Sequence, residues 1–319
     1  MGSQLGLGEM NMCVRWQGNS LVVVLAGAIS FLSCISSWAW SSPGHMVIAA
    51  IAYRDLPTSQ KTNVSELLQH HPDYAKWAIS YPTNSPFDLP TFIFMRASTW
   101  PDEIRRRGNK HDHPQWHYVN FPLIAPDFPN SPNPFPTNDI LYGIGQCEQI
   151  LKAKDTAPEL RAIYLSWLIH LVGDIHQPLH CVSLVNSNYP APQGDKGGND
   201  FFVKPNTIGV NLHSIWDKGL GSSVNAKSQY NDAIELSAAY PRKKLPELSK
   251  YKNARSWSEE GREIAIQSGY LRGNLKGSTK ATDAPALPEG YTKNLKLIAE
   301  RQAAIAGYRL ADEVRRSLQ

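Results

Sequence analysis

Charge is sparse in this 319-residue chain: 19% of residues are charged, and 32 Lys and Arg against 28 Asp and Glu leave a net charge of only +4. That balance excludes the dense basic surface of a dedicated nucleic-acid scaffold, while remaining compatible with an anionic substrate. There is no internal repeat, no low-complexity tract, and no Ser/Gly/Pro or charge block that would divide the chain. With 42% hydrophobic and 10% aromatic residues, disordered, collagen-like and multi-span membrane classes are excluded, and a substantial core is affordable within one large domain.

Long apolar runs are also lacking, with one exception. Leu21 to Leu32 reads LVVVLAGAISFL, preceded by Arg15 and followed by Ser37-Trp38-Ala39, the pattern of a secretory signal over residues 1–39, cut before Trp40. The segment before the run is long for a signal, and Met12 as the start gives a conventional length. Two rivals are weaker. An uncleaved anchor from Leu21 to Trp40 is diluted by Ser, and Phe31 and Leu32 fit a lipobox at Cys34 poorly. Cleavage leaves a domain of residues 40–319, exported to the periplasm or secreted, with the net charge unchanged because Glu9 and Arg15 cancel. Of four cysteines, Cys147 and Cys181 remain. A disulfide and a pair of buried free thiols are both open for them.

Apolar residues recur at three- and four-residue spacing over Met46–Tyr53, Ile140–Leu151, Leu160–Val172 and Leu295–Val314, which predicts amphipathic helices on a common core. Pro57-Thr58-Ser59 suits a helix start before Val64 and Leu67, and Ser256–Ile266 suggests a further helix. Only Asp200 to Asn211 reads as strand, a short hairpin around Phe201-Phe202-Val203. The expected class is mainly α, with Pro-rich surface connections over Pro82–Pro90, Pro122–Pro136 and Pro190–Pro192.

The most informative stretch is His170-Leu-Val-Gly-Asp174-Ile-His176-Gln-Pro-Leu-His180. His170 and Asp174, four apart, project from one helical face. Pro178 then breaks the helix and lets His180 turn back toward it. Imidazole and carboxylate are ligands for first-row metals, and this spacing presents two of them to one ion. His213-Ser-Ile-Trp-Asp217 repeats the spacing, while Asp102 follows Trp100-Pro101, His117 follows Trp116, and His45 lies five residues after Trp40. Each is weak alone. Together they are too many ionisable groups among aromatics to bury unless something pairs them.

Taken in order, Trp40-x4-His45, Trp100-Pro-Asp102-x2-Arg105, Trp116-His117-Tyr118-Val119-Asn120, His170-x3-Asp174-x5-His180, Gly197-Gly198-Asn199 and Asn211-Leu-His213-x3-Asp217 resemble the zinc-dependent single-strand nucleases of the S-one and P-one type. The resemblance runs from Trp40 to about Lys218. It implies a mostly helical fold with three zinc ions in a cleft. Asp102, His117, His170 and Asp174 would hold one ion; the Trp40 amino group and carbonyl, His45 and Asp174 a second; His180, His213 and Asp217 a third. An α-amino ligand exists only after the preceding peptide bond is cut, so signal removal would complete the site.

The implied chemistry is in-line attack by zinc-bound hydroxide on a phosphodiester of single-stranded DNA or RNA, leaving a 5′-phosphate, with 3′-nucleotidase action on nucleotides as an extension. Arg105 would contact a phosphate oxygen or stand as a solvated charge. Tyr118 would stack on a base and Asn120 bind its edge, or both serve packing and turns. Gly198 and Asn199 would line the substrate site or form a tight turn. His70, His71, His111 and His113 match no ligand and are expected at the surface; His176 is expected to be structural. Asn63-Val64-Ser65 is a glycosylation acceptor only in a host that glycosylates. A monomer without a stable protein partner, free of the membrane after processing, is expected. The competing readings are a zinc-dependent phospholipase C and a non-catalytic exported zinc protein.

Overall fold

The computed structural model describes residues 40–105, 108–125, 128 and 137–319. The secretory-signal segment lies outside them. Helix α7 (Pro158–Asp174) is the axis of the fold. It starts with Pro158 in its first turn, where a missing N–H is no loss, and from Leu165 to Asp174 every residue is buried. A helix apolar on all sides must be enclosed, and α7 is packed by α1 (Ser42–Asp55), α2 (Thr58–Leu68), α4 (Leu89–Ala97), α5 (Trp100–Arg105), α6 (Ile140–Lys152) and α12 (Tyr291–Ser317). Trp167, Leu168, Leu171 and Val172 are fully buried, each contributing on the order of 1.5–3 kcal/mol. Their burial fixes the rotation of α7 and so the direction of the polar side chains on its last turn.

The remaining helices are α3 (Tyr74–Ile79), α8 (Leu212–Asp217), α9 (Ala226–Ala239), α10 (Glu247–Lys250) and α11 (Ala254–Ile264). Local chemistry sets their ends. Asp139 accepts from the N–H groups of Leu141 and Tyr142 at the start of α6, and Asn253 with Ser256 forms a reciprocal capping box on α11. The long α12 lies against α1, where Gly307 admits the Ile51 side chain. The predicted helices are all present.

The Pro82–Pro90 connection is shorter than expected, because Asp88 caps α4 by accepting from Thr91 N–H at 3.0 Å and Pro90 sits in the first turn. The hairpin also forms, as β3 (Phe202–Val203) against β4 (Val210–Asn211). It is not the sole sheet: β1 (Phe121–Ile124) pairs in parallel with β2 (Val182–Val185). Parallel partners sixty residues apart leave no hairpin signal between them.

Of the two readings open for the cysteines, the structure shows the free thiols, and one expectation, a surface position for His71, is corrected. Cys147 and Cys181 are free: Cys147 packs in the core on α6, while the Cys181 thiol donates to the Ile175 carbonyl, and burial keeps both thiols protonated. His71 is buried, stacked on Trp77 with ring centroids 4.4 Å apart and edge-on to Trp100. Its Nδ1 accepts from Asp73 N–H, and burial pushes the imidazole down to about 3. His113, half-buried, stacks on Trp116, and His111 is half-buried as well; His70 is exposed as expected.

The α6 and α7 contact is closest at Gly143, where a Cβ would lie 2.9 Å from the Trp116 ring and 3.0 Å from Leu171. Trp116 cannot yield, since its Nε1–H donates to Asn138 at 2.7 Å. Gly143→Ala should therefore lower stability by about 1–3 kcal/mol through overpacking. Gly145→Ala, with no atom within 4 Å of the added methyl, should raise it by up to about 1 kcal/mol through helix propensity. Chemical denaturation of the two variants checks both signs.

Candidate metal centre

The last turn of α7 presents Asp174, wholly buried, to three imidazoles. Its Oδ1 lies 3.2 Å from His45 Nε2, and its Oδ2 lies 3.0 Å from both His117 Nδ1 and His170 Nε2. His45 comes from the first turn of α1, where Gly173 makes room for it: a Cβ on Gly173 would sit 2.8 Å from His45 Nδ1. His45 and His170 stack with centroids 4.0 Å apart. Asp102, from α5, places Oδ1 3.8 Å from both His117 and His170. His117 closes the single 3₁₀ turn Pro114–His117.

A second cluster stands on α8 and on the 3₁₀ turn Pro178–Cys181 that follows the bend after α7. His180 Nε2 is 3.1 Å from His213 Nε2, which is 3.5 Å from Asp217 Oδ1. Three groups of side chains thus gather ligand atoms closely enough to hold a metal ion each: His45, His170 and Asp174; Asp102, His117 and His170; and His180, His213 and Asp217. The nine-residue set named from the sequence is distributed over these groups, apart from Trp40. His170 falls in two of them, and Asp174 reaches from one to the other.

Tautomers are set from behind. The Nδ1–H of His170 donates to the Ser98 carbonyl at 2.7 Å, that of His180 to the His117 carbonyl at 2.6 Å, and that of His213 to the Gly197 carbonyl at 2.7 Å. With Nδ1 committed, each ring meets the site through Nε2. Burial disfavours charge on His180 and His213, so their Nε2 lone pairs face each other, a repulsive contact unless a cation or proton lies between. His170 differs: burial opposes its charge, yet Asp174 and Asp102 outweigh burial and raise the imidazole, so its Nε2 faces the carboxylate with a proton or a cation between them. Among the described residues, the buried His45 Nε2, His117 Nε2, Asp174 Oδ1 and both Asp102 oxygens have no hydrogen-bond partner. Such orphans in a dry interior are costly, and hard or borderline divalent cations are the complement to this mixed nitrogen and oxygen set.

Electrostatics agree with that reading. Burial pushes His213 down to about 3, assisted by His180, and His117 down to about 4 against the opposing Asp174 hydrogen bond. Burial opposes ionisation of Asp174, yet the facing imidazoles of His170, His117 and His45 outweigh it and hold the carboxyl well below its usual range. Asp217 goes the other way: burial lifts it well above, with Gln177 opposing.

Of the residues expected from the sequence to meet substrate, Arg105 and Gly198 touch members of these groups, Gly198 through its carbonyl, which accepts from His213 N–H. Arg105 stands with Nη1 3.7 Å from Asp102 Oδ1, its side chain about a quarter exposed at 23%. Tyr118 and Asn120, both half-buried, continue the chain from His117. Gly197 and Gly198 adopt positive φ, and a Cβ on Gly197 would meet the Leu179 carbonyl at 2.4 Å. Asn199 turns its amide back onto the Lys196 carbonyl. His176 is structural: Nδ1–H donates to the Val172 carbonyl and Nε2 accepts from Arg309, which also pairs with Glu260 at 2.6 Å.

The indole of Trp40, fully buried, donates to the Gly173 carbonyl at 3.0 Å. Some supporting residues escaped sequence reading: Ser41 N–H donates to the Asp217 carbonyl at 3.0 Å. Asp195, buried, accepts from Leu184 N–H and the Tyr270 hydroxyl and so anchors the loop that carries Gly197. The glycine-rich Gly194-Asp195-Lys196-Gly197 context was the available signal for it.

The profile of the S1/P1 Nuclease family matches residues 40–319. The chain belongs to the S1/P1 nuclease family. It is 22% identical to Endonuclease 1 of Arabidopsis thaliana over 322 residues, covering 94% of each chain. Endonuclease 2 of the same plant is 30% identical over 210 residues, 61% of this chain and 60% of its own. Nuclease S1 of Aspergillus oryzae is 33% identical over a shorter stretch of 76 residues, 22% of this chain and 23% of its own. As a member of the S1/P1 nucleases, the protein is a hydrolase of nuclease type.

Burial raises the Asp195 carboxyl to about 6, opposed by the Tyr270 hydroxyl and by the N–H groups of Leu184 and Gly198. A native pKa above the unfolded value of about 3.8 means the folded state binds the proton more tightly. The resulting stabilisation is complete below pH about 4 and is lost as pH rises through about 6, a change of about 3 kcal/mol. Asp195→Asn cannot ionise, so its stability relative to the natural chain should rise by that order between pH 4 and 7. Urea titrations of both proteins in matched buffers measure the difference.

Proposed function

We propose that the chain, exported and cut before Trp40, is a zinc-dependent endonuclease that hydrolyses single-stranded DNA and RNA to 5′-phosphate products and also removes the phosphate of 3′-nucleotides. The observation that carries this reading is the inward-facing set of buried lone pairs and orphaned carboxylate oxygens in three adjacent groups. Such an array is relieved by positive charge, and divalent cations suit its mixed nitrogen and oxygen donors. The match to a nuclease family over residues 40–319 supports phosphodiesters, and not lipid headgroups or a purely structural metal, as the purpose of the site.

Asp102, His117, His170 and Asp174 would hold one zinc ion, Asp174 with His45 and the Trp40 amino group and carbonyl a second, and His180, His213 and Asp217 a third. Bound zinc supplies Lewis acidity, lowering the pKa of water and stabilising developing anionic charge. The protein's own part is placement. Asp174 turns one oxygen toward His45 and the other toward His117 and His170, so one rigid carboxylate spans two groups and fixes their separation. Arg105, held beside Asp102 and by a hydrogen bond to the Pro114 carbonyl, presents its partly exposed guanidinium to a phosphate oxygen. Tyr118 offers a ring on which any unpaired base can stack, and Asn120 a polar edge for it; a base within a duplex is already stacked and would not enter. Gly198 and Asn199 shape the loop beside His213.

Processing fits the same scheme. The Trp40 indole is held by the Gly173 carbonyl, one residue from Asp174, so a freed amino group at this residue would be delivered to the centre. No helix among the described residues is long and apolar enough to cross a membrane. On this reading the mature chain is secreted or periplasmic and acts as a monomer.

Incubation of processed protein with matched single- and double-stranded oligonucleotides tests the proposal. Single strands should be cut to 5′-phosphorylated products, chelator should abolish cutting, and zinc should restore it. Asp174→Ala, which removes a carboxylate shared by three imidazoles, should lower kcat by at least about a thousandfold. Intact single strands after incubation with zinc-loaded protein would sink the nuclease assignment. Tyr118→Ala should raise KM on single strands by roughly 5- to 100-fold, the equivalent of about 1–3 kcal/mol of stacking, with a smaller effect on kcat; an unchanged KM removes Tyr118 from the substrate site.

A further inference from the structure

Between the end of α7 and the 3₁₀ turn that carries His180 lies Gln177, a fully buried amide. Its Oε1 accepts from Leu179 N–H at 2.6 Å, and its Nε2 donates to Asp217 Oδ1 at 2.7 Å. The first bond decides the second. A backbone N–H demands an acceptor, so the amide oxygen is committed to Leu179, and the only group left to face Asp217 is the NH₂. Gln177 therefore presents a donor, and only a donor, to that carboxylate.

Asp217 is also fixed through its backbone, whose carbonyl accepts from Ser41 N–H. Its side chain, 5% exposed, would otherwise be free to rotate away from His213, 3.5 Å distant. A donor on Oδ1 sets the plane of the carboxylate and so the direction of the oxygen that a cation would meet. The donor also comes from three residues beyond Asp174, so the geometry of the His180, His213 and Asp217 group is referred directly to the end of α7.

We propose that Gln177 is a positioning residue for this third group: by holding Asp217 Oδ1 it determines whether His180, His213 and Asp217 retain a zinc ion. The inference rests on the zinc reading above and adds to it a residue that is not itself a ligand.

The test compares the processed natural chain with Gln177→Glu, Gln177→Met and Asp217→Asn, each loaded with zinc and dialysed against graded chelator. Zinc per chain is read by elemental mass spectrometry and folding by circular dichroism. Gln177→Glu keeps the side-chain length and the acceptor for Leu179 N–H but sets a second carboxyl beside Asp217, whereas Gln177→Met removes the donor without adding charge. The natural chain should hold three zinc ions. Both Gln177 variants should hold two firmly and the third about 10- to 100-fold more weakly, with unchanged helical signal. A merely structural role would loosen all three ions together or none. If Gln177→Glu does not fold, Gln177→Met carries the same comparison.

Three ions held as tightly by the Gln177 variants as by the natural chain overturn the proposal while leaving the zinc sites in place, provided Asp217→Asn loses one. If Asp217→Asn also retains three, or the natural chain never takes up a third, the assignment of the third group itself fails and the proposal falls with it.

Discussion

Neutral imidazoles that turn their Nε2 lone pairs toward one another repel. His180 and His213 are held in that relation 3.1 Å apart, and the backbone carbonyls of His117 and Gly197 enforce it by occupying each Nδ1–H. The surrounding architecture reads as the apparatus needed to sustain this repulsion. α7 is enclosed on all sides by apolar packing, which lets its last turn carry buried polar groups without unwinding. Positive charge placed among the lone pairs converts the same contacts into attraction.

The clusters do not stand independently on that helix. The His180 ring bonds the backbone of His117, and Ser41 bonds that of Asp217, so each group borrows its geometry from residues of another. Loosening one is felt by its neighbours. The buried set of Arg309, Glu260 and His176 adds a tie between α12, α11 and the residues just after α7. A buried ion pair is weak evidence for stability, though breaking one by removing a partner is strongly destabilising.

How much was legible in advance depended on whether both partners of an interaction lay close in sequence. His170 and Asp174 declare themselves by spacing on one helix, and Pro178 announces the turn that returns His180. His45, Asp102 and His117 are ordinary residues beside aromatics until the ordered motifs of a family connect them. Contacts formed across distance stayed hidden. Gln177 meets Asp217 forty residues away, β1 meets β2 from beyond two helices, and His71 is covered by Trp77 and by Trp100, a distant neighbour. Prolines misled in one place: Pro82 to Pro90 looks like loop, yet Asp88 and Pro90 are a capping residue and a first-turn proline, which is how helices begin. The two cysteines show the converse limit, since their positions in sequence carry no geometry, and here both free thiols lie in the core.

The contact between α1 and α12 joins the two ends of the described chain. His45 rides on α1, among the first described residues, but α1 is clamped by a helix that ends at Ser317, two residues from the end of the chain. Residues far apart in the chain therefore share one fate at the centre: α12 supplies none of the grouped ligand side chains, yet the His45 helix is seated on it, with Ile51 lodged at Gly307. Close packing transmits displacement, so a shift of α12 is carried through α1 to the imidazole that faces Asp174.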